Sequence, residues 1–194
     1  MKRLKPEILR KHDPSPEEVA SIKRNPIYLV LDQILDTFNV GSLFRLADAI
    51  AAEKMYLCGN MEYPPNSRVH KAAVGTENWV PWEKRDSTLE VIKELKNKRV
   101  HTIAVEQSSK AVPYKNLHVR APQSPRDDVG SSSRRRESFT FPVAIIAGHE
   151  TDGLSEEILK EVNQIVELPM YGINNSFNVW GTTAIVAYKL LENI

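Results

Sequence analysis

Cysteine is almost missing from this chain: Cys58 is the only one in 194 residues. An internal disulfide and a cysteine-based metal centre are thereby excluded, and a reducing cytoplasm is the expected compartment. No run of about 18 apolar residues occurs, so no membrane-crossing helix is expected. The basic start, with Lys2, Arg3 and Lys5, leads into no apolar stretch of the kind a secretory signal needs. Charge of one sign is not in excess either: 26 basic against 25 acidic side chains leave a net charge of +1. A histone-like polycation is excluded, and any contact with nucleic acid must use local positive charge. Two stretches offer it: Lys2, Arg3, Lys5, Arg10 and Lys11 near the N-terminus, and Arg120, Arg126, Arg134, Arg135 and Arg136 further on. Either serves equally well as a solvated surface. Internal repeats are missing, and neither G-x-G-x-x-G nor G-x-x-x-x-G-K-[ST] occurs, so the signatures of dinucleotide folds and P-loop enzymes are absent.

What is present is an ordinary globular composition, 41% hydrophobic and 26% charged, in a chain long enough to bury one real core. Residues 1–26 read as a polar N-terminal arm punctuated by Pro6, Pro14, Pro16 and Pro26. Within it Ser15 caps a short helix that Pro16, Glu17 and Glu18 open. Apolar runs then alternate with helical patterns. Strands are expected at 27–31, 55–58, 102–105, 143–147 and 165–168. Helices are expected at 40–52, from the Ser87 cap to about 97, from Ser155 onward, and at 178–192. This alternation predicts an α/β domain over 27–194, with a mostly parallel sheet flanked by helices. Residues 119–138, rich in serine, proline and arginine, read as a flexible basic loop insertion.

Open α/β sheets bind ligands at the carboxyl ends of their strands. Three segments fall there: 39–45, 148–154 and 169–178. Gly148 and Gly153 bring backbone close to a ligand or simply form a strand-to-helix turn. His149 and Asp152 beside Glu150 match no metal-ligand spacing, so no metal is expected.

Taken in order, these segments resemble the SpoU (TrmH-type) family of RNA ribose 2′-O-methyltransferases, within the SPOUT superfamily. The first motif, N-x-G-x-x-x-R, is met by Asn39, Gly41 and Arg45. The second, an apolar strand and G-x-E-x-x-G-[LIVM], is met by Gly148, Glu150, Gly153 and Leu154. The third, [IL]-P-M-x-G-x-x-x-S-L-N-V, is met by Leu168, Pro169, Met170, Gly172, Ser176, Asn178 and Val179. The resemblance spans about residues 27 to 192 and departs in two places: Phe177 replaces the usual leucine, and Trp180-Gly181 stands where serine and a small residue are common.

The resemblance implies an α/β fold with a C-terminal trefoil knot, a homodimer with each active site completed near the partner, and S-adenosyl-L-methionine as cofactor. Val105, Leu168, Met170 and Phe177 would wall the adenine, although core packing explains Val105, Leu168 and Phe177 as well. Gly148, with backbone around Leu168 and Phe177, would give close approach, and Gly153 would start the supporting helix. Arg45 is the family's proposed catalytic residue. A guanidinium stays protonated, so Arg45 is read as a holder of RNA phosphate or ribose oxygen, with the proton leaving through that phosphate or a water. Asn39 would orient Arg45 or the ribose. Glu150 would accept from Asn39, Arg45 or a backbone amide and organise the loops. Ser176 and Asn178 either satisfy loop backbone and cap the last helix or touch the ligand. Trp180, Ala184 and Ala187 on the last helix are expected to face a second subunit. The expected activity is 2′-O-methylation of tRNA or rRNA. The alternatives are a catalytically silent RNA-binding or assembly protein of the same fold, and an α/β enzyme with a Rossmann-like cofactor site. With no separate RNA-binding domain expected beyond the core, a tRNA stem-loop is favoured over a large rRNA region.

Overall fold

The computed structural model describes residues 13–119, 138–192 and 194; Lys2, Arg3, Lys5, Arg10, Lys11 and the arginine-rich 120–137 lie outside them. Ser15 caps α1 (Pro16–Ala20) in a capping box with Glu18. The first apolar run becomes β1 (Asn25–Asp32). In it Ile27, Leu29 and Leu31 enter one apolar cluster while Val30, flanked by Tyr28, enters another on the opposite face. Burial on both faces is why the run reads as continuous rather than alternating.

The chain continues through α2 (Thr37–Ala49), β2 (Ala52–Cys58), α3 (Ser67–Ala73), β3 (Trp82–Arg85), α4 (Thr88–Asn97), β4 (His101–Val105) and β5 (Val112–Pro113). After the short pair β6 (His118–Val119) and β7 (Ser138–Phe139) come β8 (Val143–Ala147), α5 (Glu156–Glu161), β9 (Gln164–Glu167) and α6 (Val179–Leu191). Seven strands form one sheet in the order β3-β2-β1-β8-β4-β9-β5, and every pairing is parallel. Val69, Val186 and Leu190 put α3 and α6 on the same face as α2. Val91, Ile92, Leu95 and Ile158 put α4 and α5 on the other. The strand order turns between β1, β8 and β4, so the loops that leave these strands at their carboxyl ends converge.

Several boundaries differ from the sequence expectation. The helix expected at 40–52 is α2, which begins at Thr37, because Asp36 accepts the Phe38 amide at 2.9 Å as N-cap, and ends at Ala49 rather than 52. Ala52 already pairs with Asn25 in β2. Leu168 falls just after β9 instead of within it. The strands β3 and β5 and the helix α3 were not expected. All three are short, and β3 carries Glu83, Lys84 and Arg85 at the sheet edge, where a polar strand gives little apolar signal. β1 starts two residues before the expected domain boundary, and Asp13 accepts from the Asn78 amide at 2.9 Å, so part of the arm packs on the domain. At the two ends of the expected loop insertion, His118 and Val119 pair in parallel with Ser138 and Phe139.

Gly41 explains why the first motif needs glycine. A Cβ there would lie 2.5 Å from Ala72 Cβ and 2.7 Å from both the Ala73 nitrogen and the Val69 carbonyl oxygen. The obstruction is backbone, so α2 and α3 would have to separate. Gly41→Ala is expected to cost roughly 1–3 kcal/mol, read as a lower midpoint in urea denaturation; an unchanged midpoint would show that the two helices slide apart freely.

Candidate active site

Three polar segments meet at one edge of the sheet through a chain of side-chain hydrogen bonds. Asn39, on α2, is only 3% exposed. Its Nδ2 donates to Glu150 Oε1 at 3.0 Å, and its Oδ1 accepts from Asn178 Nδ2 at 3.0 Å. Glu150, in the loop after β8, also accepts the backbone N–H of Leu35 at 3.2 Å and of Asp36 at 3.1 Å. Asn178 caps α6 by accepting the Trp180 amide at 3.0 Å. One asparagine therefore joins the start of α2, the β8 loop and the start of α6.

Burial by itself would raise the Glu150 pKa, but the Asn39 amide and the backbone N–H groups outweigh it and hold the carboxylate below its ordinary range. A group whose pKa is lowered on folding stabilises the fold above its unfolded value, and that contribution fades as pH falls through the lowered folded value. Glu150→Gln is expected to weaken the protein near neutrality, with the gap from wild type closing in acid. Urea denaturation between pH 3 and 6 measures it; a gap independent of pH would contradict the clamp.

Beside this chain lies a cleft of about 450 Å3. It is walled by Val105 at the end of β4, Gly148, Glu150 and Gly153 from the β8 loop, and Leu168, Met170, Ser176, Phe177 and Asn178 from the segment after β9. Gly153 has φ +65°, and a Cβ there would approach Glu106 Oε2 to 2.4 Å, so a side chain would both strain the backbone and push Glu106 aside. His149 Nδ1 accepts the Thr151 and Asp152 amides, both at 3.1 Å, and so shapes its own loop. Among the described residues no group of three or more His, Cys, Asp or Glu is placed to hold a metal ion.

The sequence-predicted residues thus divide. All the expected cofactor-facing and loop-organising residues line the cleft. Asn39 and Arg45 do not. Asn39 is engaged by Glu150 and Asn178 rather than turned toward Arg45, and Glu150 accepts from Asn39 and backbone but not from Arg45. Arg45 is exposed on α2 and forms no hydrogen bond or ion pair with the described residues. Ser176 is exposed, and its N–H and Oγ both reach Asn174 Oδ1 at 3.1 Å, a local loop contact. The two departures from the family pattern fit each other: a Cβ at Gly181 would lie 2.7 Å from the Phe177 ring. Ala187 is buried within the chain's own core, so the expected outward face of α6 is corrected to Trp180, Ile185 and Tyr188.

Sequence reasoning missed Glu106 and Gln107, which line the cleft directly after β4. The rule that ligands sit at strand carboxyl ends would have found them, since two polar residues follow an apolar strand there.

Residues 26–188 match the SpoU rRNA Methylase family. Among curated relatives, the tRNA (guanosine(18)-2′-O)-methyltransferase of Aquifex aeolicus is 22% identical over 94% of this chain and 76% of its own length. The 23S rRNA (guanosine-2′-O-)-methyltransferase RlmB of Haemophilus influenzae is 24% identical over 91% of this chain and 63% of its own. In fold, the chain is similar to the SpoU methyltransferase AviRb from Streptomyces viridochromogenes, solved in complex with the cofactor AdoMet. The TM-score is 0.70 at 17% identity, covering 92% of this chain and 64% of that one. With all three motif segments gathered at one sheet edge and the match running over nearly the whole described domain, this chain belongs to the SpoU rRNA methylase family.

Proposed function

We propose that this protein is an S-adenosyl-L-methionine-dependent methyltransferase acting on a ribose 2′-hydroxyl of tRNA or rRNA. The observation that carries the reading is the Glu150–Asn39–Asn178 chain, which locks the three motif segments around one cleft. The cleft fits the cofactor. Its size lies within the range of small-molecule sites, Val105, Leu168, Met170 and Phe177 offer apolar walls, and Gly148 lets the loop close on itself, since a Cβ there would lie 2.7 Å from Leu154 Cγ and 2.8 Å from the Gly153 carbonyl carbon. When bound, S-adenosyl-L-methionine supplies a methyl group on a sulfonium. Arg45 holds a phosphate or ribose oxygen of the RNA, and the hydroxyl proton leaves through that phosphate or a water; the methyl C–S bond would break as the O–C bond forms, with S-adenosylhomocysteine as the leaving group. Asn39 acts through Glu150 and Asn178, as an organiser of the loops.

The strand order, with β8 inserted between β1 and β4 and with α6 packed back against α2, supports a C-terminal trefoil knot. Two features support a homodimer. Arg45 stands outside the cleft of its own chain, which leaves it available to the site of a second subunit. Leu35, Phe38, Trp180, Ile185 and Tyr188 are large apolar residues exposed on α2, α6 and the turn before α2, a surface of the kind a second subunit covers.

Calorimetry with S-adenosylhomocysteine, with and without chelator, is expected to give binding that the chelator leaves unchanged; no heat at millimolar ligand would overturn the cofactor reading. Nucleoside mass spectrometry of tRNA and rRNA from cells with and without the gene should reveal one lost 2′-O-methyl nucleoside. Binding without any such loss would favour the catalytically silent alternative. Light scattering at micromolar protein should return a dimer, and a monomer would refute the shared site.

A further inference from the structure

Glu106 and Gln107 leave β4 at the point where the loops from β8 and β9 face each other across the cleft. The Glu106 N–H donates to the Val166 carbonyl at 3.0 Å, which extends the β4–β9 pairing and fixes the residue to the sheet. Its carboxylate accepts the Leu154 N–H at 2.9 Å through Oε2 and the Gln107 N–H at 3.0 Å through Oε1. The first of these bonds ties down the far end of the β8 loop. It is possible because Gly153 has no side chain: a Cβ there would meet Glu106 Oε2. Gln107 Nε2 in turn donates to the Asn175 carbonyl, in the segment after β9. Two adjacent side chains on one rigid strand end therefore hold two separate loops, and those loops carry Gly148, Met170, Ser176 and Phe177.

Resting on the reading of this cleft as the cofactor site, we infer that Glu106 and Gln107 are positioning residues for it. They form a brace that sets the distance between the β8 loop and the β9 segment. A carboxylate is suited to the task, since its hydrogen bonds to backbone N–H groups are charge-assisted and stronger than those of a neutral acceptor. A part-buried Leu154 N–H left without its acceptor would also be disfavoured, so the loop would move to find water. The brace acts through the cofactor cleft, because both loops it holds line that cleft and Arg45 does not.

The test uses the full-length protein. Glu106→Gln keeps the side chain's size but replaces one acceptor oxygen by a donor, and Gln107→Ala cuts the other arm. For Glu106→Gln the Kd for S-adenosylhomocysteine is expected to rise about tenfold or more. The KM for S-adenosyl-L-methionine should rise in parallel, while kcat at saturating cofactor and the KM for RNA stay within about threefold of wild type. Hydrogen exchange on ligand-free protein reads the brace itself, and Leu154 should exchange faster in the variant. Gly153→Ala should weaken cofactor binding by displacing Glu106, and adding it to Glu106→Gln should cost much less than the product of the two single effects. Unchanged affinity and unchanged Leu154 exchange in Glu106→Gln would overturn the brace. A uniform loss of kcat, RNA binding and thermal midpoint would also overturn it, since that is the mark of a merely structural residue. Should wild-type protein itself fail to bind S-adenosylhomocysteine, the cofactor reading falls. The exchange data then still decide whether the two loops are braced.

Discussion

Arg45→Ala should leave S-adenosylhomocysteine affinity within a few-fold of wild type while turnover on RNA falls about a hundredfold or more, the usual effect of removing one charged contact worth ~3 kcal/mol in a reacting site. The structure makes this separation sharp. Arg45 lies on α2, outside the cleft, exposed and without a hydrogen bond or ion pair to any described residue. Its removal therefore opens no cavity and strands no buried partner, and the thermal midpoint should stay within about 2 °C, as for an ordinary surface substitution. Arg45→Lys distinguishes charge from shape. Lysine keeps the positive charge but loses the planar fork that grips phosphate through two parallel hydrogen bonds, so it should recover only a small part of the lost rate. If Arg45 serves the site of the other subunit, mixing Arg45→Ala with a chain disabled in its own cleft should restore part of the activity through hybrid dimers. Wild-type turnover by Arg45→Ala would return the residue to the role of a solvated surface charge.

Asn39→Asp is the change expected to disturb the protein itself most. Asn39 donates from one side of its amide to Glu150 and accepts on the other from Asn178. Aspartate has the same shape but offers no donor to Glu150, so two carboxylates would face each other at the 3.0 Å now spanned by the hydrogen bond. With residue 39 almost fully buried, the expected cost near neutral pH is about 3 kcal/mol. For a chain of this length that lowers the thermal midpoint by about 6–12 °C. Like charges so close cannot both ionise, so the folded pair keeps one proton and its pKa rises above the unfolded value. A raised folded pKa contributes stability below the unfolded value and loses it as pH rises through the folded one. The deficit of Asn39→Asp should therefore shrink toward pH 4, with urea denaturation at pH 4 and 7.5 giving the comparison. A deficit equally large in acid would mean that packing, and not the Glu150 contact, is what the substitution breaks. Methyl transfer should fall with it at neutral pH, since the same bond sets the β8 loop against α2.

The layered architecture was legible in the apolar runs alone. Ile27 to Leu31 and Val143 to Ala147 are apolar at every position because both faces of a central parallel strand meet helices, and that pattern survives any detail of packing. Ser15, Ser87, Ser155 and Asn178 are helix caps in the structure, because capping is a local bond between a side chain and an amide two or three residues on. Gly148, Glu150, Gly153, Met170, Ser176 and Phe177 fall in segments that follow apolar runs, and only the resemblance to the family's motifs gave them roles in a site. The tertiary structure alone decided who bonds to whom. Asn39 and Glu150 are 111 residues apart, and Asn39 and Asn178 are 139 apart; no local pattern encodes such pairings, which arise only when β8 is inserted beside β1. It also decided that Asn39 faces inward to the loops while Arg45 faces out, because six positions along a helix turn a side chain about 240° around the axis. The brace at Glu106 and Gln107 stayed hidden for a related reason. Its partners, Leu154 and Asn175, offer backbone groups, and a backbone N–H or carbonyl has no residue signature to read before the chain is folded.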